Sequence, residues 1–186
     1  MTGDKQSVHL FGKDIITQIT FVGLAGAGKT TFIKQLKDEQ EIETTYSPTM
    51  GMNLETIKLG DMEVLAADMG GQRSFVDSVW EPFVTKSVGV VFVFDAAAYK
   101  SRELASRYLK KVINWTAENA VLLFVANKMD LQEAADLETI VEDLRLSDII
   151  AARPHSFGVY QTSALYGTNV HIAWNWLAER VSKKQI

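Results

Sequence analysis

Gly23, Gly28, Lys29 and Thr30 fall at GxxxxGK[ST] spacing in the run GLAGAGKT. That spacing suits phosphate chemistry. Two glycines allow a tight backbone path, so that successive amide N–H groups of Ala25, Gly26, Ala27, Gly28, Lys29 and Thr30 can turn inward on an anion at a helix N-terminus. The Lys29 ammonium then reaches the terminal phosphates, and the Thr30 hydroxyl is a hard oxygen ligand for Mg2+, which binds largely through nucleotide phosphates. A second group, NKMD at Asn127 to Asp130, can select the base. The Asp130 carboxylate can accept both N1–H and N2–H of guanine. Adenine presents an acceptor at the corresponding edge, a mismatch of a few kcal/mol when buried. Asn127 is placed to tie this loop to the phosphate loop, and the Lys128 stem to lie along the base plane.

A third group, ADMGGQRSF at Ala67 to Phe75, has the residue types for γ-phosphate chemistry. Asp68 can hold a water on Mg2+, the Gly71 N–H can bond the γ-phosphate, and Gln72 can orient an attacking water. Phosphoryl transfer asks for such positioning and charge stabilisation more than for covalent chemistry. Upstream, Thr49 in YSPTMGMNLETI offers a hydroxyl and an N–H that could close over Mg2+ and the γ-phosphate. Taken alone, Pro48-Thr49 reads as a plain turn.

These groups need strands to end at them and helices to begin after them. Strand-like runs lie near 15–22, 52–59, 62–67, 88–95, 120–126 and 157–161, with helical patterns near 29–40, 74–85, 101–118, 136–151 and 168–183. Their alternation predicts a doubly wound α/β sheet whose strand ends carry the ligand loops. VGVVFVFD is apolar almost throughout, as a strand covered on both faces must be. Only Gly60-Asp61 separates the second run from the third, so that pair must be an antiparallel hairpin, and the sheet is mixed. Val170, Trp174, Leu177 and Val181 share one helical stripe, which makes Trp174 a core residue; Trp176 cannot share that face. His9, His155 and His171 lack metal-ligand spacing. Arg73 directly follows Gln72 and so invites a catalytic-finger reading.

With these motifs in hand, the chain resembles the small GTPases of the Ras superfamily, and within it most the Arf and Sar branch. GLAGAGKTT resembles that branch's phosphate loop, PTMGMNLETI its first switch, DMGGQ its second, NKMD its base motif and TSAL (Thr162 to Leu165) its last nucleotide loop. The paired glycines before Gln72, and Trp80 eight residues beyond it, favour this branch over Ras or Rab. The resemblance implies a P-loop NTPase fold with a six-stranded mixed sheet containing one antiparallel pair. It implies nucleotide contacts from Thr31, from the backbone N–H groups of Ser163 and Ala164, and from Leu165, beside the residues already named. It places Lys29, Thr49, Gly71 and Gln72 in catalysis, and Thr30, Thr49 and Asp68 at Mg2+. The expected function is a GTP/GDP switch that hydrolyses slowly and answers to an exchange factor, an activating protein and effectors. A non-hydrolysing GTP-clamped scaffold or receptor subunit, and a P-loop kinase or metabolic NTPase, are the alternatives.

Departures from the branch pattern qualify that expectation. Thr2 stands where N-myristoylation requires glycine, and there is no cysteine to prenylate or palmitoylate, so any membrane association would be indirect. SVHLFGKDIITQITF reads as two short apolar runs around Gly12-Lys13-Asp14, an extra hairpin strand rather than an amphipathic helix. We therefore divide the chain into an N-terminal extension, 1–14, and a GTPase domain, 15–186. Ala67 stands where Arf proteins carry a tryptophan between the switches, with Met52 and Phe83 near its aromatic neighbours, which weakens any interswitch slide. Ala25 stands where Arf has an acidic residue, its methyl aimed at the γ-phosphate, which points to slow intrinsic hydrolysis. These features suggest a prokaryotic, such as archaeal, or otherwise divergent relative.

The 186 residues, 47% hydrophobic and 23% charged, suit one domain with a proper core. A formal charge of -4 leaves no footprint for nucleic acid. No apolar run approaches the roughly 20 residues of a membrane span. A cytoplasmic setting is the expectation.

Overall fold

Eight strands and six α-helices are assigned among the residues that the computed structural model describes, 9–10, 13–14, 17–37 and 49–184. Two minimal strands come first, β1 (His9–Leu10) and β2 (Lys13–Asp14), paired antiparallel as a separate ladder. The main sheet then runs through β3 (Gln18–Val22), β4 (Met52–Leu59), β5 (Met62–Met69), β6 (Gly89–Asp95), β7 (Val121–Asn127) and β8 (Phe157–Gln161). Its order is β4-β5-β3-β6-β7-β8. Every pairing is parallel except β4 with β5, which turn at Gly60-Asp61 with Leu59 opposite Met62. The mixed six-stranded sheet is thus the one expected, with the short N-terminal ladder outside it.

Two cores sandwich the sheet, and side-chain alternation along each strand decides which core a residue joins. On β6, Val91 and Val93 face α1 (Lys29–Leu36) and α6 (Val170–Lys184). Their neighbours Val90, Phe92 and Phe94 face α2 (Arg73–Lys86), α3 (Arg102–Trp115), α4 (Leu137–Asp143) and α5 (Leu146–Ala152). Trp174 lies in the first core and donates its indole N–H to the Lys58 carbonyl at 2.7 Å. Trp176 sits instead on the sheet's β8 edge, tilted against Tyr160 and covered by the Arg180 guanidinium 4.0 Å from its ring. No described helix is long and apolar enough to cross a membrane.

Two boundaries differ from expectation. The single helix expected over 136–151 is two, because Arg145 takes a left-handed conformation with φ 53°. Leu144 and Leu146 are both buried, and a two-residue step cannot serve one face of a continuous helix. The first helix is assigned only to Leu36; the rest of its expected range, with the acidic run and Pro48, lies at or beyond the edge of the described residues.

Candidate functional site

The parallel strands β3, β5, β6 and β7 all end on one side of the sheet, and the sequence motifs follow at those ends. After β3 the chain turns at Gly23, whose φ of 144° and close approach to β6 exclude a side chain: a Cβ there would lie 2.1 Å from the Val93 carbonyl oxygen. Gly28 then begins α1 with no side-chain cap, leaving the N–H groups of the first helical turn to an external acceptor. An anion is the natural occupant.

Lys29 is buried, at 5% exposure, and its ammonium folds back to donate to the Gly23 carbonyl at 2.9 Å and the Leu24 carbonyl at 3.1 Å. Burial pushes its pKa down to about 8, although the Asp68 carboxylate pulls the other way. Asp68, at the end of β5, is itself buried, and that burial raises its pKa above the ordinary carboxylate range despite the Thr30 hydroxyl and Lys29. Thr30 donates to Asp68 Oδ2 at 2.5 Å and meets the Thr49 hydroxyl at 2.9 Å. With Thr30 committed to the carboxylate, Thr49 is the donor of that second bond. Residues 30, 49 and 68 therefore converge from a helix, a loop and a strand.

The other Asp68 oxygen, Oδ1, is buried without a hydrogen-bond partner among the described residues. An orphaned carboxylate oxygen beside two hydroxyls fits a hard cation: Thr30, Thr49 and Asp68 form an all-oxygen donor set that Mg2+ could complete with nucleotide phosphates.

The segment after β5 lies across the phosphate loop. Ala25 donates its N–H to the Gly71 carbonyl at 3.1 Å, and a Cβ on Gly71 would lie 2.2 Å from the Ala25 nitrogen. Gly71 thus presents its carbonyl to the loop in this conformation, whereas the γ-phosphate reading asks for its N–H. Gly70 is held from both sides, its N–H on the Gly51 carbonyl at 2.7 Å and its carbonyl on the Trp80 indole at 3.0 Å. Trp80 is fully buried, so α2 is tied directly to the loop. Gln72 is exposed, its side-chain amide donating to Met50 Sδ at 3.2 Å. The Arg73 side chain lies outside the described residues. Ala67 is buried, and Met52 is 37% exposed.

Asn127 joins three loops. Its amide donates to the Ala27 carbonyl at 2.8 Å, and its oxygen accepts from the Thr162 hydroxyl at 3.0 Å and the Ala164 N–H at 2.9 Å. Met129 N–H reaches the Thr162 carbonyl at 3.1 Å, which fixes the base loop against the last nucleotide loop. Asp130 is exposed, and Leu165 is partly exposed beside Ser163 and Ala164, which are buried. With the Ala164 N–H spent on Asn127 and the Ser163 N–H on the Thr168 carbonyl at 3.1 Å, neither backbone donor expected from that loop is free for a guanine oxygen in this conformation. Thr162 holds Asn127 through its hydroxyl and Met129 through its carbonyl, a role with no sequence signal because a hydroxyl directly after a strand carries no distinctive spacing. Asn127→Ala is expected to lower stability by about 3 kcal/mol, since it strands one carbonyl, one hydroxyl and one N–H in a buried place. Urea denaturation of the two proteins measures it.

A phosphate loop on a doubly wound sheet, with a carboxylate and two hydroxyls before it and NKMD at its side, defines a P-loop nucleoside triphosphatase. The family model for the ADP-ribosylation factor family matches residues 5–181, and the chain belongs to that family. Its structure is similar to that of the Arl6 BBS3 small GTPase from Trypanosoma brucei, solved with the bound nucleotide analogue GppNp. The two share 28% identity and a TM-score of 0.77 over 90% of this chain and 98% of that one. The chain is a GTP-binding small GTPase of the Arf-like branch.

Proposed function

We propose that this protein is a Mg2+-dependent GTP/GDP switch that hydrolyses GTP slowly and uses the segments around Thr49 and Gln72 to control partner binding. The convergence of Thr30, Thr49 and Asp68, whose Oδ1 is left without a hydrogen-bond partner among the described residues, carries the reading. It links the phosphate loop to both candidate switches, so a change of ligand there reaches both. Mg2+ bound by these residues would neutralise phosphate charge as it develops. Lys29 would leave its two carbonyls for the β- and γ-phosphates, regaining in charge-assisted bonds what burial costs it. Gln72 would turn from Met50 to orient water, and Asp130 would read the base.

Partner control is supported by the surface that follows Thr49. Met50 is 79% exposed, Leu54 is 45% exposed, and β4 is an edge strand. Any shift of Thr49 moves the start of that apolar surface. A cytoplasmic setting belongs to this same proposal.

The test is GDP and GTP affinity with Mg2+, against ATP, followed by single-turnover hydrolysis with Trp80 fluorescence as the reporter. The expected result is guanine-selective binding, turnover on the order of 10⁻⁴ per second, and a fluorescence change on hydrolysis. Tight GTP binding with neither turnover nor signal would instead support a clamped scaffold. Phosphate transfer to a small acceptor would point to a kinase. Gln72→Leu is expected to cut hydrolysis stimulated by an activating partner at least about tenfold and to leave nucleotide affinity unchanged, because the side chain is exposed and among the described residues its hydrogen bond is to the Met50 thioether. Full activity in that variant removes Gln72 from the water-positioning role.

A further inference from the structure

Asp95 ends β6 directly opposite Asn127 at the end of β7, one strand across the sheet. Lys128 follows with φ 66°, a left-handed backbone that a lysine adopts only when its surroundings hold it. The backbone on both sides is held: Asn127 is buried in its three-way network, and Met129 N–H is bonded to Thr162. What remains to be fixed is the long side chain. Its ammonium lies 2.6 Å from Asp95 Oδ2.

The carboxylate is itself preset. Asp95 Oδ1 accepts the N–H groups of Ala97 at 3.0 Å and Ala98 at 3.2 Å, which locks the rotamer and leaves Oδ2 for the lysine. The Asp95 side chain is 16% exposed and the Lys128 side chain 34%, so the pair is partly shielded. Exposed ion pairs contribute little because both side chains must be ordered to form them. Here one partner is already ordered by two backbone amides, so the lysine meets a fixed carboxylate.

Resting on the guanine-nucleotide reading above, we propose that Asp95 is a positioning residue for the nucleotide: it holds the Lys128 stem across one wall of the base site before the ligand arrives, and so sets how long the ligand stays. Preorganisation of this kind acts mainly on dissociation. The competing role for Asp95, capping the turn at Ala97 and Ala98, is separable from it. Asparagine keeps an oxygen for the two amides and removes the ionic partner of Lys128.

The experiment is stopped-flow release of a fluorescent GDP analogue, with Mg2+, from the full chain and from Asp95→Asn, Lys128→Met and the double variant, with folding checked by circular dichroism. Asp95→Asn is expected to release nucleotide about tenfold faster at an unchanged melting temperature in the absence of nucleotide, and the double variant no faster than Lys128→Met alone. Release at the wild-type rate from Asp95→Asn, or independent effects in the double variant, overturns the proposal and leaves Asp95 a turn cap. Failure of the unaltered protein to bind the analogue overturns the nucleotide reading itself. Should Asp95→Asn not fold, Asp95→Ser keeps a capping oxygen without the charge and carries the same expectation.

Discussion

Lys29→Met is expected to weaken GTP binding by at least about a hundredfold while making the nucleotide-free protein more stable at neutral pH. The two effects have one cause. Holding the ammonium inside the phosphate loop depresses its pKa from 10.5 to about 8, so the charged form is disfavoured in the folded state by about 3 kcal/mol. Its bonds to the Gly23 and Leu24 carbonyls return part of this, so the net gain on substitution is about 1–2 kcal/mol. Phosphate oxygens are better partners than those carbonyls, and methionine offers them nothing.

The sign of the pH dependence follows from the lowered value. Below pH 8 Lys29 is protonated in both folded and unfolded chains, and the full penalty is present. Between about 8 and 10.5 the unfolded chain binds more protons than the folded one, so the stability contributed by this site rises with pH. The advantage of Lys29→Met should therefore shrink over that window, as thermal denaturation of both proteins at pH 7, 9 and 10.5 would show. GTP affinity of the unaltered protein moves the opposite way and falls above about pH 8, because the phosphates require the protonated lysine. A melting temperature lower in Lys29→Met at pH 7 would show that the two carbonyl bonds outweigh the buried charge.

Asp130→Asn is expected to lower GTP affinity by about a hundredfold to ten-thousandfold and to raise affinity for xanthosine triphosphate. The carboxylate can accept two N–H groups of guanine as charge-assisted bonds of about 1.5–3 kcal/mol each. An amide can accept one and opposes the other with its own N–H. Xanthine carries an oxygen where guanine carries the N2 amine, so the same amide then matches. The folded state should be untouched, because Asp130 is exposed and the loop is held through Asn127 and Met129 instead. Competition binding with GTP, xanthosine triphosphate and ATP decides it. Retention of tight GTP binding would show that another group reads the base.

Much of this protein is dictated by local sequence. Glycine at 23 and 28, the apolar runs of β6 and β7, and the two-residue turn at Gly60-Asp61 act over a few residues, through backbone stereochemistry and side-chain alternation. They were sufficient for the class of fold, for the antiparallel pair and for the candidate residues of the site. The break at Arg145 was legible too, in the two-residue step between Leu144 and Leu146, but the apolar spacing on either side masked it.

Only the tertiary structure decided how those residues meet. Thr30 reaches Asp68 across 38 residues, Asn127 reaches Ala27 across 100, and Lys128 reaches Asp95 across 33. Each contact depends on which strand lies beside which: β5 beside β3 brings Asp68 to the phosphate loop, and β6 beside β7 brings Asp95 to Lys128. Strand order is a property of the whole packed sheet and has no signal at any one position. The depressed pKa of Lys29 and the Gly71 carbonyl on Ala25 have the same origin, since burial and close approach exist only after the sheet has formed.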